Sequence, residues 1–429
     1  MNNRIKISTL LLISGLFARA WVETGSTHPS DPVWSVNSIS DDQLEITFDL
    51  GGYFVEDLAN GKKRISFPGG VPNLEEGAPD LPKMAQSIII PDLAHMELSI
   101  LEADFIDFPL DNIISSKGNL TRNIDPASIP YTFGKAYETD KFYPPNIVFM
   151  RDPYIMRTVR GQAIVFQPIQ YNPVQRTLRV YTHIKIDVQE NGLSQINPLL
   201  RRPAKSGSNE FENIYSEHFL NYSRTSRYET LSEQGPMLVI CYGDFMETMQ
   251  PFVDYKNYKG LPTEMVDVAE IGGSDEIEAF VETKYYEDGI AFVLLVGDID
   301  QIPSPRYSDG AGSNSPSDPS YGFMAGDDYY PEIMVGRFSA ENTTHVETMV
   351  NRTINYEMNP DPTADWYKKG SGFASDQGPG DDGEMDFEHL DNIRDDLLGF
   401  TYTVVDQVYD PTGTVEEVEG YINEGRSIV

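Results

Sequence analysis

Near residue 236 the hydrophobic period of the chain changes, so the two halves are built on different plans. From about residue 30 to 195 the pattern is that of β structure. In Thr177–Val188, Leu178, Val180, Ile184, Ile186 and Val188 share one face, and Arg179, Tyr181, His183, Lys185 and Asp187 share the other. His183, on the polar face, reads as a solvated side chain. QAIVFQPIQ (162–170) reads as a second strand, with YNPVQR as the turn between them. LEITFDL (44–50) and SIIIP (87–91) add two more. Short strands punctuated by Pro and Gly, as in GGVPNLEEGAPDLP, predict an all-β, sandwich-like domain.

From residue 236 strands and helices alternate. MLVIC and AFVLLVGD read as buried strands, and TEMVDV as a strand between them. A helix ends at Gly260, another begins at Ser274 as its N-cap with Asp275 and Glu276 in the first turn, and Thr414 and Glu417 form a capping box. EIMVGRF, SGFAS and YTVVDQV are further strands, with helices near 341–358 and 384–398. This rhythm predicts an α/β domain with a parallel sheet covered by helices. Arg426–Val429 reads as the start of another strand, so the α/β domain is expected to be incomplete at its C-terminus.

The charge divides at the same place. Residues 228–429 hold 41 Asp and Glu against 10 Lys and Arg, which leaves 26 against 22 in residues 1–227. The total of −35 argues against nucleic acid or an anionic membrane as partner. With 40% hydrophobic residues both halves have material for a core, and a single cysteine excludes a disulfide framework.

Arg4 and Lys6 precede the apolar run Ile7–Phe17, and Ala18-Arg19-Ala20 offers small residues for a signal peptidase. Residues 1–20 therefore read as a signal peptide. The run is too short to cross a bilayer, and no other stretch reads as a membrane span. A secreted, extracellular or cell-surface protein is expected. Residues 196–230 read as a polar connector, in which Arg224 and Arg227 are open to proteolysis.

Two acidic segments could carry chemistry. In GDDYYPEIMVGRF, Asp328, Tyr330 and Glu332 alternate, so an extended backbone projects them to one side. Two carboxylates and a carbonyl begin an oxygen cage for calcium, and Asp298 at a strand end offers a third carboxylate; a solvated acidic loop is the alternative. ASDQGPGDDGEMDFEHL holds Asp376, Asp381, Asp382, Glu384, Asp386, Glu388 and His389 between a strand and a helix, the position of a site in parallel α/β domains. Cys241 ends a buried strand with no neighbouring histidine and reads as a small hydrophobe.

FVDYKNYKGLPTEMV, FVLLVGDIDQIP, YGFMAGDDYYPEIMVGRFS and RTINYEMNP, in this order, resemble the gingipain-type cysteine peptidases. Upstream, GAPDLP, KFYPPN and MRTVRGQAIVFQPIQYNPVQRTLRVYTHIKIDV resemble the propeptide of the same family. The resemblance implies a β-rich propeptide domain over 21–227, ending in a linker, and a caspase-like α/β peptidase domain over 228–429, split into two subdomains. It implies protein or peptide substrates, and the chain's own propeptide as inhibitor and chaperone. It implies calcium at Asp298, Asp328 and Glu332 with the carbonyls of Ala325 and Tyr330, and at Glu384 and His389, the latter through its carbonyl. Asp376 or Gln377 aligns with the acid that orients the catalytic histidine. Asp386 aligns with the carboxylate that selects arginine. Processing is expected between Arg227 and Tyr228. The catalytic histidine and cysteine are expected beyond Val429, which would leave this chain inactive. The rival expectation is a calcium-stabilised, non-catalytic surface or adhesion module.

Overall fold

The structure is a computed structural model and describes residues 19–40, 42–58, 61–121, 124–204, 207–223, 235–307, 314–378 and 384–429. Most of the signal segment, the processing residues Arg224, Arg227 and Tyr228, and Asp381 and Asp382 lie outside these ranges.

The N-terminal part is built from antiparallel sheets around one core. In one, Thr177–Leu193 lies between Gln43–Asp49 and Ala94–Pro109, with Ile169–Asn172 and Val33–Ser40 completing it. In another, Val159–Phe166 pairs with Pro82–Ile90. Leu178, Val180, Ile184, Ile186 and Val188 are all fully buried, facing Ile46 and Phe48 and packed with Ile88, Ile164 and Phe166. Each such side chain contributes roughly 1.5–3 kcal/mol of burial. The opposite face stays polar except at Tyr181, which is buried in the core where the register shifts before His183, and His183 is not merely solvated: its Nδ1 lies 2.7 Å from Asp49 Oδ1.

QAIVFQPIQ is two strands, not one. Gln167-Pro168 interrupts it, and the chain passes from the sheet of Pro82–Ile90 to that of Thr177–Leu193. Proline has no N–H for a ladder, so the break falls where a strand changes sheets. The expected connector is also more than a linker. It contains helix α1 (Asn209–His218), whose Phe211 and Tyr215 are buried together with Phe219. The four-residue spacing of these rings puts them on one helical face.

In the C-terminal part four parallel strands are ordered Thr263–Asp267, Met237–Cys241, Phe292–Val296, Met334–Phe338. Leu238, Ile240, Val293 and Leu295 face helix α3 (Ser274–Asp288). Val239, Cys241, Leu294 and Val296 face α2 (Met246–Lys259) and α4 (Thr343–Met358). Alternation within a continuous apolar run serves both faces of a covered sheet. The N-cap of α3 is Gly273, one residue before the expected Ser274, because the Glu276 carboxylate reaches back to the Gly273 N–H at 3.0 Å. Lys369–Ala374 and Val404–Tyr409 form a separate parallel pair beside α5 (Asp386–Phe400) and α6 (Val415–Glu424), and Ile428 bridges Gly370 in the parallel sense.

Candidate functional site

The carboxyl edges of the parallel strands gather most of the polar groups expected to act. Gly297, at φ 144°, turns the chain after Phe292–Val296 and leads into Asp298. The Asp298 N–H donates to the Ala340 carbonyl at 3.0 Å, and its carboxylate accepts from Ser339 Oγ at 2.9 Å. Beneath it stands Arg337, which sequence reading passed over. Its Nη1 donates to the carbonyls of Gly297 and Ile302, and Nε and Nη2 each reach an Asp318 oxygen at 2.7 Å. That two-point bond holds the Asp318 carboxyl below its ordinary range. The signal was present: an arginine inside an apolar strand must find partners.

On the second pair of strands, Asp376 is exposed just beyond Lys369–Ala374. Asp386 begins α5 and accepts a short hydrogen bond from Ser375 Oγ, while its N–H donates to the Gln377 carbonyl. Asp376 and Asp386 therefore stand at one edge. Glu384 and His389 are also brought together, Oε2 to Nδ1 at 3.1 Å, on the exposed start of the same helix. His389 lies within α5, where its main-chain carbonyl serves the helix ladder with one of its two lone pairs.

The remaining candidates lie at the opposite, amino edge. Asp328 accepts from the N–H groups of Tyr330 and Ile155 and from Asn197 Nδ2. Glu332 is fully buried and accepts from the N–H groups of Met324, Ala325 and Arg157. Ala325, Asp328, Tyr330 and Glu332 thus form one group. Asp298 does not join it. Phe292 pairs with Met334 and Val296 with Phe338, so the length of the strands separates Asp298 from Glu332, roughly 20 Å. Spacing along the sequence does not say at which end of a strand a carboxylate falls.

The amino-edge pair fits a hard cation in its donor chemistry. The donors to its four oxygens are all neutral N–H groups. Burial pushes Glu332 up to about 8, and burial also raises Asp328. The buried Arg157 guanidinium lies beside Glu332 and bonds its main-chain carbonyl at 2.9 Å, but it donates to none of the four carboxylate oxygens. Among the described residues no three His, Cys, Asp or Glu side chains cluster as a metal site. Cys241 is fully buried, and desolvation pushes its thiol up to about 12.

The N-terminal part meets this edge. Tyr154 stacks on Tyr330 at 3.7 Å, Asn197 Oδ1 accepts from the Asp327 N–H, and the Ala204 N–H donates to the Tyr286 carbonyl. A β-rich unit is thus seated against a parallel α/β unit with acidic sheet edges. The propeptide model of family C25 matches residues 35–228, and the model of peptidase family C25 matches 230–429. The chain belongs to the gingipain-type cysteine peptidases, as a precursor. Gingipain R1 of Porphyromonas gingivalis is 36% identical over 373 residues, covering 85% of this chain and 37% of that protein. Lys-gingipain W83 of the same organism is 27% identical over 320 residues, 71% of this chain and 18% of that protein. The solved complex of Porphyromonas gingivalis RgpB pro- and mature domains is 32% identical with a TM-score of 0.40, over 44% of this chain and 98% of that one. The chain thus spans well under two thirds of the length of these curated relatives. No helix among the described residues is long and apolar enough to cross a membrane.

Proposed function

We propose that this chain is the precursor of a secreted cysteine endopeptidase that prefers arginine before the cleaved bond, with its β-rich part acting as propeptide and intramolecular inhibitor. The observation that carries the arginine preference is the position of Asp386. Its carboxylate stands at the carboxyl edge of Lys369–Ala374, with Asp376 on the same edge. A carboxylate there can take two parallel bonds from a guanidinium, which lysine does not reproduce. The higher identity to gingipain R1 than to Lys-gingipain supports the same choice. Export rests on Arg4, Lys6 and the apolar run Ile7–Phe17.

In this chemistry a histidine takes the thiol proton, the thiolate attacks the peptide carbonyl, and main-chain amides hold the oxyanion. Cys241 is the only cysteine of the 429 residues, and its burial and raised pKa disqualify it as that nucleophile. The 429-residue chain alone is expected to be inactive on peptide amides. Thiol-dependent turnover that disappears in Cys241→Ala would overturn this.

The arginine preference is tested in the complete gene product with paired peptides that differ only in Arg or Lys before the bond. Asp386→Asn should lower kcat/KM for the arginine peptide at least 100-fold with its melting temperature unchanged. Unaltered cleavage after arginine in that variant sinks the reading. Maturation is expected between Arg227 and Tyr228, and a processed N-terminus far from residue 228 counts against it. Calcium is proposed at Asp328 and Glu332, where two buried carboxylates and nearby carbonyls supply oxygen ligands.

A further inference from the structure

Arg157 sits at the turn between Tyr154–Met156 and Val159–Phe166, at φ 50°, and its side chain is fully buried. The guanidinium does nothing for its own hairpin. Nη1 donates to the carbonyls of Ile290 at 3.0 Å and Glu332 at 2.9 Å, and Nη2 donates to that of Gly289 at 3.0 Å. All three acceptors belong to the peptidase domain, just before the strands Phe292–Val296 and Met334–Phe338. The domain also grips the turn's main chain. Tyr285 Oη of α3 donates to the Arg157 carbonyl at 2.9 Å, and its ring lies 5.6 Å from the guanidinium carbon.

Carbonyls at a sheet edge are fixed in space by the strands that follow them. They ask for several N–H donors held in one plane, which is what a guanidinium presents. A lysine carries its donors on one nitrogen and does not span the same three oxygens. Arg157 is fully shielded from solvent, and burial lowers its pKa, so the guanidinium depends on these protein carbonyls for partners while the parts are together.

We propose that Gly289, Ile290, Glu332 and Tyr285 form a guanidinium socket at the amino edge of the peptidase sheet, and that Arg157 in this socket retains the N-terminal part on the peptidase domain after the connector is cut. The proposal rests on the propeptide reading only for the naming of the two parts; the hold itself needs no catalysis.

The test uses the full chain with residues 227–232 replaced by the recognition sequence of a site-specific protease. After complete cutting, the two pieces are diluted and their dissociation is followed by size-exclusion chromatography and surface plasmon resonance. The unmutated pieces should travel together. Arg157→Lys should speed dissociation at least tenfold, with the melting temperature of the released N-terminal piece unchanged. Tyr285→Phe, which keeps the ring and removes one donor, should give a smaller increase, and it decides the matter if Arg157→Lys does not fold. Dissociation within twofold of the unmutated rate in both variants overturns the socket, as does faster release that appears only with a lowered melting temperature of the N-terminal piece. Neither result touches the peptidase assay, so the propeptide reading stands or falls separately.

Discussion

Arg337 and Asp318 show how one ion pair sets a sheet edge. The pair ties the Gly297–Ile302 turn to the Asp318 segment through two 2.7 Å bonds and further bonds to carbonyls. The folded-state pKa of Asp318 is lowered, first by the Arg337 hydrogen bond. Its contribution to stability is therefore complete above the unfolded carboxylate pKa and disappears as pH falls through the folded value. Asp318→Asn should cost about 2 kcal/mol at neutral pH by urea unfolding, and the deficit should shrink in acid. A deficit of the same size across the acid range would show that charge plays no part. Residues of this kind are the hardest to see in a sequence. Asp328 and Glu332 were legible as a pair because they lie four residues apart on one segment, although that segment is a run of bends and not the extended backbone expected, and the strand begins only at Met334. Arg337 was passed over, since its partner Asp318 is remote in sequence. Asp298 was assigned to the wrong company because a parallel strand separates its two ends by its whole length.

Elements were read best where local chemistry terminates them. Gly260 closes α2 at φ 95°, as expected of a helix end marked by glycine, and a Cβ built there meets nothing within 4 Å. Gly260→Ala should thus destabilise through backbone conformation alone, by about 1 kcal/mol, and Gly260→Asn by less. Thermal unfolding of both variants checks the order, and equal losses would point to a different cause. The capping box at Thr414 was equally local and equally legible, and so were the alternating faces of Thr177–Leu193 except at Tyr181, which a register shift carries into the core. Two elements were missed for a common reason. Helix α1 was hidden in a polar stretch because only Phe211, Tyr215 and Phe219 mark its buried face. The split of QAIVFQPIQ depends on which sheet each piece joins, and hydrophobic period carries no such information.

At the scale of the molecule, the change of pattern near residue 236 anticipated two differently built parts, and the families C25 propeptide and C25 peptidase divide the chain in the same order. What the pattern did not convey is that Asp328 and Glu332 lie where the parts meet, each receiving an N–H from the N-terminal hairpin. If calcium binds there, it should raise the melting temperature of the whole chain. Saturation to about 100 times the dissociation constant adds roughly 2.7 kcal/mol. Asp328→Asn should abolish most of that gain, and identical melting curves with calcium and with chelator would remove the site. The N-terminal hairpin takes hold at the amino ends of the strands, whereas chemistry in a parallel sheet gathers at their carboxyl ends. A rear handhold of this sort has a kinetic signature. If the socket holds the two parts, breaking the Arg157 bonds at the rear becomes the step that sets how fast the detached N-terminal piece leaves after dilution.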